Sequence, residues 1–489
     1  YEFVTLNVRE FGAYGDGVHD DTNAIQCAIM ACPKDSRVLV PEGVYKISSI
    51  FLKDNLTLEL AKGAVLSAFT DREKFPVLPG EIESYDETAQ YNLGSWEGNP
   101  LDMFSAIVCG INVENVVITG EGTIDGCTNF ENWWKNCKVR DTAWRPRLFF
   151  INHCKNVMMH GITVQNSPSW TIHPYFSEHL KFIDVKIKNP ANSHNTDGLD
   201  PESCTDVLVL GTYISVGDDC IAIKSGRNGD GIRVNRTSFN IVIQNNSMAD
   251  GHGGVTIGSE ITAGVKNIYS RNNAMESNDL ECAYRFKTNY IRGGVIENIY
   301  YQNDDVFMVK SNKPVVLVDL NYDISKEVQM MEAMNVSYRA YIPAFKHVLF
   351  EGMNVNEANA ANSGGKYALQ LNGFNVASIA SSCTVPEGTQ DCYITDFTIK
   401  DSTFIGSKQA FNMNYVDGLT LDNVTISGST DADKVTNCKN LVFTCCDFHD
   451  SVVQRETFDG IATITTTCFA GESGLLPLIR LLRSIKTVW

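Results

Sequence analysis

One phrase recurs along this chain: a short polar residue, usually Asn, then alternating apolar positions, then Gly or Asn, then a second short alternation. Asn115-Val116-Val117-Ile118-Thr119-Gly120 runs into Gly122-Thr123-Ile124-Asp125-Gly126, and Asn156-Val157-Met158-Met159-His160-Gly161 into Ile162-Thr163-Val164-Gln165-Asn166. From Val157 the first apolar anchor returns at Leu180, Val207, Ile241, Ile268 and Ile299, at intervals of 23, 27, 34, 27 and 31 residues; later copies sit near Val348, Phe397, Leu419 and Leu441. Period-2 alternation over a few residues predicts strands, and a repeat of this length predicts stacked supersecondary units. No helix-length apolar periodicity lies between the strands, which excludes βαβ units, and the Leu-x-x-Leu frame of leucine-rich repeats is missing. The remaining solution is all-β: a right-handed parallel β-helix in which inward Val, Ile, Leu and Phe form a continuous core. Asn at the coil corners suits left-handed or tight-turn backbone, and the uneven intervals mark loops inserted on the outside.

The ends depart from the phrase. In residues 1–35, Asp20-Asp21-Thr22 precedes Ala24-Ile25-Gln26-Cys27-Ala28-Ile29-Met30, which predicts a short capping helix over the open first coil. The acidic residues 16–21 lack the frame and closing Glu of a calcium loop, so they are assigned to helix capping. Residues 36–470 carry the solenoid, with polar, Trp-rich inserts at 76–105 and 128–147. The indoles of Trp96, Trp133, Trp134 and Trp144 either stack on sugar rings or pack their own loops. Residues 471–489 form a tail to which no role is assigned.

Fifteen cysteines leave at least one thiol unpaired, and no C-x-x-C pair suggests zinc or redox chemistry. Cys383 and Cys392 are close enough in sequence to be bridged, but buried free thiols are the expectation. No apolar run approaches the roughly 18 residues of a membrane span. The formal net charge of -18 argues against nucleic acid or an anionic membrane as a partner, since counterion release needs clustered Lys and Arg. That acidity is uneven: from Gly217 to Lys310 there are ten Lys and Arg against eleven Asp and Glu.

Charge is concentrated in four motifs: Asn195-Thr196-Asp197-Gly198, Gly217-Asp218-Asp219-Cys220, Gly251-His252-Gly253-Gly254 and Arg285-Phe286-Lys287-Thr288. The steps from Asp197 to Asp218, Asp219 to His252 and His252 to Arg285 are 21, 33 and 33 residues, each about one coil. Equivalent places in successive coils lie roughly 4.7–4.9 Å apart, so the motifs are expected on one ridge. Arg285 and Lys287 are two apart and point to the same side of a strand. Neighbouring carboxylates repel, and repulsion with partial burial keeps one protonated near neutrality. Glycosidic cleavage needs that pairing: a protonated carboxyl for the leaving oxygen and an ionised one for water or the sugar. The two cations would hold an anionic substituent. An Asp ladder that merely caps turns, with the cations as counter-ions, explains single motifs but not all four. Gly120-Glu121-Gly122-Thr123-Ile124-Asp125-Gly126 imitates a dinucleotide loop, yet it has one residue too many and enters no helix; it is read as a coil corner.

With these motifs the sequence resembles the glycoside hydrolase family that contains polygalacturonases, whose pattern is Asn-x-Asp, Gly-Asp-Asp, Gly-His-Gly and Arg-x-Lys. Phe11-Gly12-Ala13-Tyr14-Gly15-Asp16-Gly17, Asn166-Ser167-Pro168-Ser169-Trp170, Asp200-Pro201-Glu202-Ser203 and Ile257-Gly258-Ser259-Glu260 extend the likeness toward the bacterial branch. The resemblance implies Asp218 as general acid, Asp197 and Asp219 activating water, and His252 maintaining the acid. It implies Arg285 and Lys287 on the substrate carboxylate, with Asn195 and Gly253 in support, and an inverting displacement without metal or cofactor. The implied partner is a pectic polysaccharide or oligogalacturonide, attacked from the chain end if the inserts close the cleft. A secreted or periplasmic enzyme is favoured, and a cytoplasmic one if the substrate is imported oligomers. Phe286 stands where the family commonly has Ile, an inward position. Rhamnogalacturonan or xylogalacturonan specificity, a calcium-dependent pectate lyase and a non-catalytic polysaccharide-binding β-helix remain as alternatives.

Overall fold

In a computed structural model, residues 3–80, 92–357, 365–381 and 383–448 are described, with the backbone of 458–459 and 464–466. The C-terminal tail at 471–489 and the middle of the 76–105 insert lie outside the described residues. Contacts divide the chain into two units, Tyr1–Ser247 and Met248–Trp489.

Each unit is a stack of parallel coils. In the first, strands Glu114–Gly120, Lys155–His160, Glu178–Ile183, Thr205–Leu210 and Ser238–Gln244 pair in parallel, with Val116 on Val157, Val157 on Leu180, Leu180 on Val207 and Val207 on Ile241. In the second, Ile268 pairs with Ile299, Ile299 with Val348, Val348 with Phe397 and Phe397 with Leu419. The apolar anchors of the sequence phrase are thus the register of the ladders. They are buried, and each inward side chain contributes about 1.5–3 kcal/mol on leaving water.

The polar residue just before the first apolar anchor of these coils is left-handed. Asn55, Asn115, Asn156, His179, Asp206 and Asn240 all have φ between 54° and 59°, a conformation that short polar side chains tolerate. The Asn side chains also stack, Nδ2 of Asn115 donating to Oδ1 of Asn55 and Nδ2 of Asn156 to Oδ1 of Asn115. At the decoy corner, a Cβ on Gly120 would meet the Leu60 carbonyl oxygen at 2.0 Å. That glycine serves coil packing.

The predicted cap is a helix over Thr22–Ala31 with Ile25, Ala28 and Ile29 buried. Gln26 donates to the Phe51 carbonyl and accepts the Phe51 N–H, closing the edge of strand Ile50–Phe51, which ends a four-stranded sheet. The acidic run caps the helix through Asp20, whose Oδ1 accepts the N–H and the hydroxyl of Thr22, the first residue of that helix. Asp21 occupies the N-cap position without a side-chain cap bond; its carboxylate accepts the N–H groups of Tyr14 and Gly15, and Asp16 accepts those of Val18 and His19. These acids form turns because unpaired amides of the loop compete for them. Further helices at Asn228–Val234, Ile324–Ala333 and Val376–Ala380 fill the longer intervals of the repeat. Cys383 and Cys392 are free thiols. Among the described residues, no helix is long and apolar enough to cross a membrane.

The inserts use their indoles internally. Trp96, Trp133 and Trp134 are buried. Trp96 stacks on Trp144 at 4.9 Å, and Trp134 Nε1 donates to the Ser167 carbonyl. Of the two roles left open for these rings, the structure places these indoles in packing.

Candidate active site

In the first unit a ladder runs through Phe149–Asn152 and Ile172–Tyr175, then through bridges of Leu199 to Ile172 and Ile221, and of Glu202 to Tyr175 and Lys224. In this register the Thr171 N–H donates to the Asp197 carbonyl and the Gly198 N–H to the Asp219 carbonyl. Asp197 therefore stacks on Asp219, one residue beyond the 21-residue step read from sequence, and Asp218 stands beside them. The coils approach tightly: a Cβ on Gly198 would meet the Cys220 carbonyl oxygen at 2.4 Å, and one on Gly217 the Ser193 carbonyl oxygen at 2.3 Å. Between them, the Thr196 hydroxyl accepts the Gly217 N–H at 3.1 Å. The glycines and threonine of both motifs thus exist to bring the acids together.

Asp197, Asp218 and Asp219 each offer an oxygen, all within 4.8 Å of one another. Asp197 and Asp219 are buried, and Asp218 is half-buried. Burial, reinforced by Asp200 and Asp218, raises the Asp197 carboxyl well above its ordinary range. Burial also pushes the neighbouring Asp200 up to about 8, against the pull of Lys224 and of its hydrogen bond with Asp197. Burial and mutual repulsion thus favour the protonated form at Asp197 and Asp200.

Asp200 and Glu202 fall in a stretch that carries the family likeness, but neither they nor the buried network behind them received a role from the sequence. Arg147, fully buried, donates from Nε to His173 Nδ1 at 3.3 Å and from Nη1 to Ser169 Oγ at 2.9 Å. His173 Nε2 meets Glu202 Oε1 at 3.0 Å with both side chains excluded from solvent. Since Nδ1 accepts, Nε2 carries the hydrogen donated to Glu202. Trp170 lies under both the Arg147 guanidinium, at 4.3 Å, and Lys224 Nζ, at 4.7 Å. The available signal was the register: Trp170, His173, Asp200, Glu202 and Lys224 fall on successive coils of one ladder. Arg145, from the 128–147 insert, donates to the carbonyls of Pro168 and His194 and to Oδ1 of Asn195. Asn195, in a left-handed turn at φ 55°, thereby fixes the entry to Asp197.

The raised Asp200 carboxyl predicts a pH dependence of stability. A carboxyl whose folded pKa lies above its unfolded value favours the fold at low pH, and the advantage is lost as pH rises from about 4 toward the folded value. Asp200→Asn is expected to flatten the fall in thermal midpoint between about pH 4 and the folded value of about 8; an unchanged slope would place the proton elsewhere.

The second unit holds the other motifs. Strand Val255–Gly258, which follows His252 and Gly253, pairs with Tyr284–Lys287, Thr256 opposite Arg285 and Gly258 opposite Lys287. His252 is half-buried and Gly253 buried. Tyr284 and Phe286 point inward and are fully buried, Phe286 packing on Tyr301, Phe345 and Phe397. Arg285 and Lys287 point to the other side, as their spacing predicts, and both face the Tyr322 ring, at 5.7 and 5.1 Å. Tyr322, unmarked in the sequence, is held by its N–H on the Thr288 carbonyl. Arg292 closes the floor, 2.9 Å from Glu327 Oε2 and 5.6 Å from the same ring.

Residues 82–339 match the sequence profile of glycosyl hydrolases family 28. The chain belongs to that family. It is therefore a glycoside hydrolase, and the lyase and non-catalytic readings are set aside. Residues 5–60 match a second profile, rhamnogalacturonase A/epimerase, pectate lyase-like. A probable polygalacturonase of Vitis vinifera is 32% identical over 306 residues, covering 60% of this chain and 59% of that protein. An exo-poly-alpha-D-galacturonosidase of Dickeya chrysanthemi is 26% identical over 478 residues, covering 87% and 74%. The crystal structure of a hyperthermoactive exopolygalacturonase from Thermotoga maritima covers 95% of this chain and 92% of its own, with a TM-score of 0.64 at 24% identity. That likeness concerns the fold, which is a right-handed parallel β-helix in this family 28 enzyme as well.

Proposed function

We propose that this family 28 enzyme hydrolyses α-1,4-galacturonosyl linkages in de-esterified pectin or its oligomers, releasing product from the chain end. The observation that carries the hydrolytic chemistry is the set of three carboxylates with oxygens within 4.8 Å of one another. Asp218, the least buried of the three, donates the proton to the leaving oxygen. Asp197 and Asp219, one coil apart, hold and activate the water. His252 maintains the acid, with Asn195 and Gly253 in support. Arg285 and Lys287 grip the uronate carboxylate, with the half-buried Tyr322 ring beside them.

Exo action is supported by where the inserts lie. Both arise in coils before the carboxylates, and Glu97 of the first reaches Arg227, three residues past Lys224, at 3.6 Å. The stacked Trp96 and Trp144, with Arg145 and Arg147 over Trp96, make that wall rigid. The named activity of the Dickeya relative points the same way.

Stereochemistry is a separate test. Inverting pairs usually stand roughly 6.5–9.5 Å apart and retaining pairs about 5 Å, so the short spacing here departs from the usual inverting geometry. In this reading Asp197 and Asp219 hold the water jointly, and it does not have to fit between opposed carboxylates. Proton NMR of early product is expected to show the β-anomer first; the α-anomer would indicate a covalent intermediate. Reducing ends, ultraviolet absorbance and product size, followed on polygalacturonate with and without chelator, test the rest. Short products from the start, no absorbance and no effect of chelator are expected. Calcium-dependent absorbance would sink the hydrolase assignment, and an early fall in viscosity the exo assignment. Arg285→Ala or Lys287→Ala should raise KM for galacturonan roughly tenfold or more, the worth of a hydrogen bond to a charged group. An unchanged KM would remove them from uronate binding.

A further inference from the structure

The first unit has a second polar surface that the proposed reaction does not use. Strands Thr163–Gln165, Lys186–Lys188 and Tyr213–Ser215 pair in parallel, with Thr163 opposite Lys186 opposite Tyr213, and Gln165 opposite Lys188 opposite Ser215. Val164, Ile187 and Ile214, between these positions, are fully buried, so the flanking side chains face outward. Gln165, Lys186, Lys188, Tyr213 and Ser215 line an open groove of about 710 Å³, together with Asn189 and the turn that follows it.

The chemistry of the groove is unusual for a chain of net charge -18. Lys186 and Lys188 are exposed, lie on one strand face, and make no ion pair among the described residues. Among the described residues, no Asp or Glu lines the groove. The neighbouring Asp125 is occupied, its carboxylate accepting from Gln165 Nε2 at 3.0 Å, Asn166 Nδ2 at 3.1 Å and the Cys127 N–H at 2.8 Å. Tyr213, 38% exposed, presents a ring beside the lysines. Two cations, an aromatic face and amide groups in one groove match a glycan that carries carboxylates. Two lysines are too few for the counterion release that drives nucleic-acid binding, and a neutral glycan would leave them without purpose. Asp197, Asp218 and Asp219 do not line the groove: the turn at Asn189 and Pro190 intervenes, Asn189 bonding to Thr171 Oγ1 and the Ser167 N–H.

We infer that this groove is a second, non-catalytic site for a polyuronate chain, holding polymer at the enzyme while another stretch is cleaved. The inference rests on the galacturonan substrate proposed above. Lys186 and Lys188 take uronate carboxylates, and Tyr213 takes a sugar face.

The test uses the full chain in an Asp218→Asn background, so that binding of polygalacturonate is measured without hydrolysis, by affinity electrophoresis or calorimetry. The double substitution Lys186→Ala/Lys188→Ala is expected to weaken polymer binding roughly three- to tenfold, the sum of two exposed charge contacts, and to make it less sensitive to salt. Tyr213→Ala should weaken it as well. In the active enzyme the double variant should raise KM for the polymer by the same factor, with kcat unchanged and KM for digalacturonate unchanged. Unaltered polymer affinity in a variant that hydrolyses normally would overturn the second site and leave the proposed activity standing. Equal losses on dimer and polymer would overturn it too, by assigning the lysines to the cleavage site. A parent protein that neither binds nor hydrolyses polygalacturonate would overturn both.

Discussion

Asp218→Asn is expected to lower turnover on galacturonan by roughly 10²–10⁴-fold, the contribution of a positioned general acid, while leaving the fold intact. Asn has nearly the shape of Asp, and the Oδ1 that accepts the Asp219 N–H at 2.9 Å is retained in the amide. What disappears is the transferable proton. The loss should appear in kcat, with KM nearly unchanged, because the interaction is made in the transition state and hardly at all in the ground state. A leaving group that needs no protonation, such as an activated aryl galacturonide, should recover part of the lost rate in the first step. Near-normal turnover on polymer would remove Asp218 from the mechanism. Rescue of an Asp197 variant by the aryl substrate, in place of the Asp218 variant, would transfer the acid role to Asp197, whose carboxyl is raised by burial.

The largest effect on stability is expected at Arg147. The guanidinium is fully buried and sits among Asp200, Glu202 and Asp197, while burial lowers its own pKa to about 10. Removing one partner of a buried ionic network costs about 3–5 kcal/mol, because charge is left without compensation. Arg147→Ala adds a cavity to that loss. Arg147→Met fills much of the space and isolates the charge. Both variants should show a lower thermal midpoint, Ala lower than Met, and in both the remaining activity should shift along the pH axis, since the acids of the cluster lose a nearby cation. A Met variant as stable as the parent would show that packing on Trp96 and Trp170, and not charge, is what Arg147 supplies.

The repeat was legible in the sequence because a parallel coil imposes a local rule. Alternation selects which side chains enter the core, and the corner must turn left-handed, so Val157, Leu180, Val207 and Ile241 with the polar residues before them mark both strand and register. The four charged motifs were legible for the same reason: residues at coil spacing that are neither core nor corner demand another explanation. The inner supports were not. Arg147, His173, Glu202 and Asp200 have no assignable role until the ladder brings them out of water, and only desolvation makes their pairing and the raised pKa of Asp200 consequential. Trp96 and Trp144 posed a similar problem, since an indole that stacks on a sugar and one that stacks on another indole have the same sequence signature.

The sequence by itself determined the coil, the register of its apolar anchors and the residue types of the reaction, because each follows from period-2 burial and corner geometry over a few neighbouring residues. Only the tertiary structure decided that Asp197 stacks on Asp219 and not on Asp218, that Asp200 shares the site, that the indoles pack inward, and that Lys186 and Lys188 face an acid-free groove. Those outcomes depend on which side chains from different coils are excluded from water together, and a linear pattern does not record that.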